Sequence, residues 1–524
     1  MSEKLKQNNS QTNLQEQSET PTSNKRIAKN ALMLYIRMFI SMVVGLYTSR
    51  VVLATLGVED YGVYGVVGGV VAMMGFLNAS MSGATSRFLT FELGRGNQKR
   101  LAETFSSALI VHIGIAIIVL VVAETVGLWF LCNKLVIPAG RMEAAHWVFQ
   151  LSIASAMLNI TQAPYNASII AHEKMGVYAY VEILNVTLKL LIVYLLVIGN
   201  FDKLILYAIL HFAVVVVILL IYRIYCIHNF KETKFHFIWK KDILKPLLSF
   251  SGWNLYGNLG GMAQQQGTNF VINFFFGVVM NAAMSVGLTV ANTVNNFGAN
   301  VMVAFRPQII KNYSQGNKEG MKDLTILAIK VIMFIYCLVA VPVYIEAENL
   351  LKLWLVKVPN HAVVFCRLFL ISIFFETIRY VLIIDIHATG NVKWVSFFSG
   401  TVFIVAPFVT YLLFRLGLSA NSAITTIIVC NMLLCLINTY LIKHYARIPV
   451  SSYAATILKV IITSASALFL AGYIKKFIPS ITINIITNSL IGVSLVTFAY
   501  FALCFDKDQR KYAINLIKSK LRIR

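Results

Sequence analysis

Apolar residues fall along this chain in blocks of about 20, separated by short polar stretches rich in Lys and Arg. That block length is what an α-helix needs to cross about 30 Å of hydrocarbon. Strands of a membrane barrel would read as short segments alternating apolar and polar, and the chain does not read that way. The pattern predicts about fourteen spans. They fall near residues 30–55, 61–85, 105–131, 145–170, 177–199, 203–225, 246–276, 280–304, 323–346, 361–387, 393–415, 420–443, 454–474 and 482–504. The block at 246–276 is longer than one crossing and is interrupted by Gly252, Gly257, Gly260, Gly261 and Gly267, which predicts a kinked or tilted helix. The expected fold class is an all-α integral membrane protein.

Composition agrees. Of 524 residues, 58% are apolar and 13% charged, with a mean hydropathy of +0.73, against about a quarter charged in a soluble chain. The net charge of +23 does not point to nucleic acid, because the basic residues sit in short loops and no basic domain stands free of the apolar blocks. Seven cysteines show no CxxC and no His/Cys ligand spacing, so neither disulfides nor a metal site is expected. Residues 1–24 are polar and lack an apolar core, which argues for a disordered tail and against a cleaved signal peptide.

The distribution of charge orients the spans. Arg87, Arg95, Lys99 and Arg100 follow span 2; Lys231, Lys234, Lys240, Lys241 and Lys245 follow span 6; Arg306, Lys311, Lys318 and Lys322 follow span 8; and Lys507 to Arg524 close the chain. The alternate loops are acidic, uncharged or mixed. Both termini are therefore expected in the cytoplasm. No loop is long enough to fold as a catalytic domain, and no paired carboxylates, nucleophile motif or metal cluster stands out, so no enzyme and no cofactor is expected.

An internal repeat emerges from the connections. Leu56-Gly57 after span 1 matches Phe276-Gly277 after span 7, and Gly96-Asn97 after span 2 matches Gly316-Asn317 after span 8, each glycine pair 220 positions apart. Arg87 and Arg306 differ by 219, and His172-Glu173-Lys174 has a weaker counterpart in Gly390-Asn391-Val392-Lys393. The repeat predicts a tail at 1–27, an N-lobe at 28–228 with spans 1–6, a C-lobe at 229–445 with spans 7–12, an added pair of spans at 446–505, and a basic tail at 506–524. Lobes that begin on the same side are related by an axis along the membrane normal, with the substrate path expected between them.

Leu56-Gly57-x-x-x-Tyr61-Gly62-x-Tyr64, Ser86-Arg87-Phe88 and Gly94-x-Gly96-Asn97, together with the six-plus-six-plus-two plan, resemble the Wzx-type polysaccharide flippases of the multidrug/oligosaccharidyl-lipid/polysaccharide (MOP) exporter superfamily. The resemblance spans residues 28–504. It implies a MATE-like, alternating-access transporter in the bacterial cytoplasmic membrane. Its implied cargo is an oligosaccharide on undecaprenyl pyrophosphate. Its implied partners are that lipid-linked oligosaccharide, membrane lipids, and polysaccharide polymerases or glycosyltransferases of the same route, with no nucleic acid.

Charged and amide residues inside spans mark the expected cargo path, since each ionisable group near the bilayer centre costs roughly 2.5–3.5 kcal/mol on insertion scales. Arg37 in span 1 and Lys189 in span 5 are the leading cations; Arg306 and Arg379 are further ones, the last forming an i,i+3 pair with Glu376. Lys330 reads as a side chain reaching for the headgroups. Asn254, Asn258, Gln265, Asn269 and Asn273 make a polar stripe on span 7, with Asn292, Asn296 and Asn300 on span 8, and Ser152, Ser155, Asn159, Gln162 and Asn166 on span 4. Amides donate and accept at once, which suits sugar hydroxyls. The stripes also admit plain interhelical bonding. Glu124 in span 3 is the candidate for ion coupling, and a cation-coupled multidrug or small-molecule antiporter on the same fold is the alternative.

Overall fold

A computed structural model describes residues 30–511, apart from 42, 45–46, 49–50, 53–54, 58–59, 61–62, 65–66, 69–74, 134–136, 138–139, 197–200, 356–357 and 476–482. The N-terminal tail and residues 512–524 of the C-terminal tail therefore lie outside the described residues. What is described is helical, without a strand. The helices are α1 (Asn30–Ser41), α2 (Gly75–Gly94), α3 (Gln98–Asn133), α4 (Met142–Ala171), α5 (Met175–Leu195), α6 (Lys203–Asn229), α7 (Lys241–Ser314), α8 (Lys318–Trp354), α9 (Ala362–Thr389), α10 (Lys393–Arg415), α11 (Asn421–Tyr445), α12 (Val450–Lys475) and α13 (Ile483–Ala499). Further helical residues are described between α1 and α2, at 43–44, 47–48, 51–52, 55–57, 60, 63–64 and 67–68. Helix α7 is two helical arms joined at Gly277, whose φ of 76° and ψ of −179° break the helix.

Eight of the described helices, α3, α5, α6, α8 and α10 to α13, are long and apolar enough to cross a membrane. Helix α9 falls short of that measure because Arg367, Glu376, Arg379 and Asp385 lie along it, and α4 because of its Ser, Asn and Gln residues. Both are nonetheless packed inside their units.

The chain forms two compact units, Met1–Leu255 and Tyr256–Arg524. In the first, α4 is central and packs on α2, α3, α5 and α6. Its core is built from Leu89, Phe105, Val148, Phe149, Ile153 and Ile169, all essentially inaccessible. In the second, α9 packs on α8 and α11, α11 on α10, and the added pair α12–α13 on α8.

The repeat is visible in the backbone. Gly57 and Gly277 have φ of 79° and 76°, and Gly96 and Gly316 have φ of 70° and 80°, values that favour glycine because it has no Cβ. The next residue caps a helix in both cases. Asn97 accepts from the Arg100 backbone N–H at 3.0 Å, and Asn317 accepts from the Gly320 N–H at 2.8 Å. The weaker third match also holds: Glu173 and Gly390 are both left-handed, with φ of 58° and 83°.

The glycine-rich stretch of α7 does not kink it. Gly257, Gly260 and Gly267 instead let the first arm lie tightly on Ser396, Gly400 and Pro407 of α10. The break falls further on, at Gly277.

Candidate functional site

The second arm of α7, which is not among the eight helices long and apolar enough to cross a membrane, has two unlike sides. Its buried side is apolar or small: Ala283, Met284, Gly287, Ala291, Val294, Gly298 and Val301. Gly287 sits so close to α9 that a Cβ there would lie 2.8 Å from the Cys366 backbone nitrogen. Its exposed side is Ser285, Thr289, Asn292, Thr293 and Asn296. These positions share one face at helical spacing. Hydrocarbon offers no partner for exposed amides, so such a face belongs on water. Thr289 and Thr293 donate to carbonyls one turn back at 2.8 and 2.9 Å, leaving their oxygens as acceptors. Asn300 donates to the Asn296 carbonyl at 2.8 Å.

The first arm repeats the theme with a mixed face. Asn258, Gln265, Gln266 and Asn273 are exposed and Asn254 and Asn269 half-buried. Asn269 donates to Gln266 at 3.4 Å. Beside that stripe lie exposed Leu259, Phe270 and Phe274. Asn254 belongs to the first unit and the others to the second.

Charge gathers in the first unit along α5. The Arg37 guanidinium of α1 lies 4.8 Å from the centre of the Tyr178 ring. Glu182, one turn along, accepts from Asn185 at 3.4 Å, and both Arg37 and Glu182 act electrostatically on Tyr222 of α6. Lys189 is half-buried and lies within electrostatic reach of His211. That ring packs against Tyr64 and Tyr207, at 6.3 and 6.1 Å. Seven residues of helix separate Glu182 from Lys189 by about 10 Å. On α4, Asn159 is exposed, whereas Gln162 is buried and donates to Asn166 at 3.2 Å.

Glu124 lies in a five-residue π-helical turn of α3, Ala123–Gly127, the kind of local irregularity often found at functional sites. It accepts from Gln150 of α4 at 3.2 Å. Arg306 is half-buried near the end of α7. Arg379 is buried inside the second unit. It donates to Asn431 at 3.2 Å, lies 3.9 Å from Glu376, and stacks over Tyr380 and Phe403.

Three buried polar features escaped the sequence reading. Lys330 does not reach for headgroups. It is buried and ion-paired with Asp506 at 2.7 Å, with Gln509 at 3.3 Å. Glu346, fully buried, is met by Lys475, Asn349 and Asn488 at 3.0, 2.6 and 2.9 Å. Asp385 accepts from Thr325 and Tyr453 at 2.6 and 2.5 Å. Apart from Asn349, three residues from Glu346, the partners lie 60 to 179 residues away and leave no local signature.

No family model and no curated protein matches the chain. Solved structures do. An outward-facing multidrug resistance MATE family transporter of the MOP superfamily superposes with a TM-score of 0.68 at 15% identity, over 82% of this chain and 96% of that one. A MATE in the bent conformation gives 0.69 at 14% identity, over 84% and 97%. A MOP superfamily transporter from Pyrococcus furiosus, described by a binding pocket of reverse polarity that suggests a different function, gives 0.60 at 15%, over 82% and 97%. At such identity the likeness speaks to fold. The chain is an all-α, multi-pass membrane protein with the architecture of the MATE and MOP transporters.

Proposed function

We propose that this chain is a flippase. It moves an oligosaccharide linked to undecaprenyl pyrophosphate, a repeat unit of O-antigen, capsule or exopolysaccharide, from the cytoplasmic to the outer leaflet of the bacterial cytoplasmic membrane. Both termini lie in the cytoplasm, and alternating access is driven by an ion or proton gradient. The observation that carries the reading is the exposed Ser, Thr and Asn face of the second arm of α7. On this reading it would be a wet, neutral, hydrogen-bonding surface at membrane depth. Asn254, Asn258, Gln265, Asn269 and Asn296 would serve sugar hydroxyls as donors and acceptors. Arg37 and Lys189 would offset the pyrophosphate, with Arg306 adding charge. Arg379, already offset by Glu376, would hold the frame of the second unit. No covalent bond is made or broken, and the lipid tail stays in the bilayer.

The test uses the native host lacking this gene. Lipid-linked oligosaccharides are quantified, and their access to an external, membrane-impermeant glycan-modifying enzyme is measured. The expected result is accumulation of protected intermediates, reversed by the wild-type gene and not by Arg37→Ala/Lys189→Ala expressed at the same level. Unchanged glycan pools would refute the reading.

One observation favours a second reading, a cation-coupled antiporter. Glu124 is an acidic group in a π-helical turn within a span, hydrogen-bonded by Gln150. Unchanged glycan pools together with altered sensitivity to cationic drugs, abolished by Glu124→Gln, would establish it.

A further inference from the structure

Between α6 and α7 the chain reads Phe230-Lys231-Glu232-Thr233-Lys234-Phe235-His236-Phe237-Ile238-Trp239-Lys240. After one 3-10 turn at Lys231–Thr233 it has no helix until α7 begins at Lys241. Its start is held within the first unit. Phe230 stacks on the His172 ring at 4.2 Å, and the buried Glu232 meets the same ring at 2.5 Å. The rest is strapped along the beginning of α3. The His236 backbone N–H donates to the Ser106 hydroxyl at 3.2 Å, Lys240 donates to Glu103 at 2.7 Å, and Asp242 lies 3.7 Å from Arg100. Arg100, Glu103 and Ser106 are neighbours at i,i+3 spacing on α3. They meet the strap in reverse order, so it runs antiparallel to the helix.

These contacts fix one side of the strap and leave the other free. In an extended segment alternate side chains point opposite ways. Lys240 reaches α3 and Ile238 is half-buried. Phe235, Phe237 and Trp239 have the opposite parity and are exposed at 47%, 77% and 65%. Around them Lys231, Lys234, Lys241 and Lys245 are exposed and have no acidic partner among the described residues. The nearby acids Glu232 and Asp242 are already taken by His172 and Arg100. The free side is therefore both aromatic and cationic.

Its height selects the partner. Helix α3 has 36 residues, about 54 Å at 1.5 Å per residue. Hydrocarbon fills about 30 Å of a bilayer, and about 40–45 Å with its headgroups. The apolar run of α3 begins only at Ala108, after Ser106 and Ser107. The strap, level with Arg100 to Ser106, thus lies at the headgroups. Aromatic rings are favoured at that level, and a cluster of lysines there attracts anionic lipid.

We propose that the strap joining α6 to α7 is a docking surface for anionic phospholipid. Phe235, Phe237 and Trp239 enter the headgroup layer, and Lys231, Lys234, Lys241 and Lys245 meet lipid phosphates. The surface needs only the membrane-spanning fold and is independent of the cargo assigned above.

The test uses the full chain in nanodiscs of phosphatidylcholine, alone or mixed with phosphatidylglycerol, with acyl chains brominated close to the headgroup. The difference in emission between wild type and Trp239→Phe isolates Trp239. Its emission is expected to be quenched by bromine more strongly in the mixed discs. Each lysine near an anionic surface is worth about fivefold in partitioning. Lys234→Gln/Lys241→Gln/Lys245→Gln should therefore weaken the anionic preference on the order of a hundredfold and bring quenching to its level in phosphatidylcholine alone. Lys234→Arg/Lys241→Arg/Lys245→Arg should retain it, and neither exposed triple should change the melting temperature. Salt at about 1 M, with a screening length of about 3 Å, should act as the Gln triple does. Equal quenching in the two lipids, insensitive to the lysines, would reduce the strap to an ordinary interfacial aromatic belt and overturn the anionic assignment. Quenching by soluble iodide and not by brominated lipid would put the rings in water, open to a soluble protein, and overturn the proposal.

Discussion

Gly260 and Gly261 are neighbours on α7 with opposite surroundings, and substituting each tests whether the amide stripe is oriented by backbone packing. A Cβ on Gly260 would lie 2.5 Å from the Gly400 Cα and 2.6 Å from its carbonyl oxygen; one on Gly261 meets nothing within 4 Å. The atoms struck by Gly260→Ala are backbone, so relief requires α7 and α10 to move apart. Forcing a methyl into a packed site costs about 1–3 kcal/mol. Alanine is worth about 0.5–1 kcal/mol more than glycine within a helix, which offsets part of that cost. The net expectation for Gly260→Ala is a loss of about 1–2 kcal/mol, and for Gly261→Ala no loss or a gain of about 0.5 kcal/mol. At about 2–4 °C per kcal/mol for a unit of this size, the two variants should melt several degrees apart. The assay is intrinsic-fluorescence melting in one detergent, repeated with Gly400→Ala, whose Cβ would strike the Tyr256 ring at 2.5 Å. Gly260 faces α10 while Asn258 and Gln265 point away from it, so Gly260→Ala should also lower transport more than Gly261→Ala does. Equal melting of the two variants would refute the close approach of α7 and α10, and with it the orientation of the stripe.

Asn97→Ala and Asn317→Ala should each cost about 1 kcal/mol through loss of a helix cap. Asn317 also donates to Asn312 at 3.2 Å, so its variant should melt lower. Lys475→Ala leaves Glu346 buried without its cation and should cost about 3 kcal/mol; adding Glu346→Gln should recover part of the melting temperature, and no recovery would mean that the pair is not the source. Arg141 bridges Asp60 and Asp202, at 2.5 Å to the latter. Burial pushes the Asp202 carboxyl up, but the hydrogen bond and charge of Arg141 and the N–H groups of Ile205 and Leu204 outweigh it and hold the group below its ordinary value. Its contribution to stability is then present above the ordinary carboxylate range, about pH 3.9, and lost as pH falls through the lower folded value. Asp202→Asn should flatten the acid limb of a melting-versus-pH curve, and an unchanged limb would remove Asp202 from the network.

What was legible in the sequence is what depends on short range. Block length marked the spans, and glycine-asparagine pairs marked the turns, because a left-handed residue followed by a helix cap is a local demand. The Glu376–Arg379 pair was legible for the same reason. What was not legible required knowing a partner. A run of glycines is compatible with a kink or with a neighbour at close range, and only α10 decides between them. Lys330 read as a lipid-facing cation because Asp506 lies 176 residues away. The exposed polar face of the second arm of α7 was legible as a stripe, but a stripe is equally consistent with interhelical bonding until its exposure is known.

The duplicated scaffold also has an unequal distribution of chemistry. The turn at Glu173 corresponds to that at Gly390, which aligns α5 with α10. Glu182, Asn185 and Lys189 then correspond to Ser399, Val402 and Ala406. The ionisable residues of α5 have small or apolar counterparts in α10. Beside these positions, Ser396, Gly400 and Pro407 of α10 admit the first arm of α7 to close contact. Under the proposed function the charged end of the cargo is expected to be handled by the first unit and its sugars by the second. Placing Lys at Ala406, a buried position, therefore should not rescue Lys189→Ala: it would bury a cation without a partner. Rescue of transport by Lys189→Ala/Ala406→Lys would show that the two units are chemically interchangeable and would refute this division of roles.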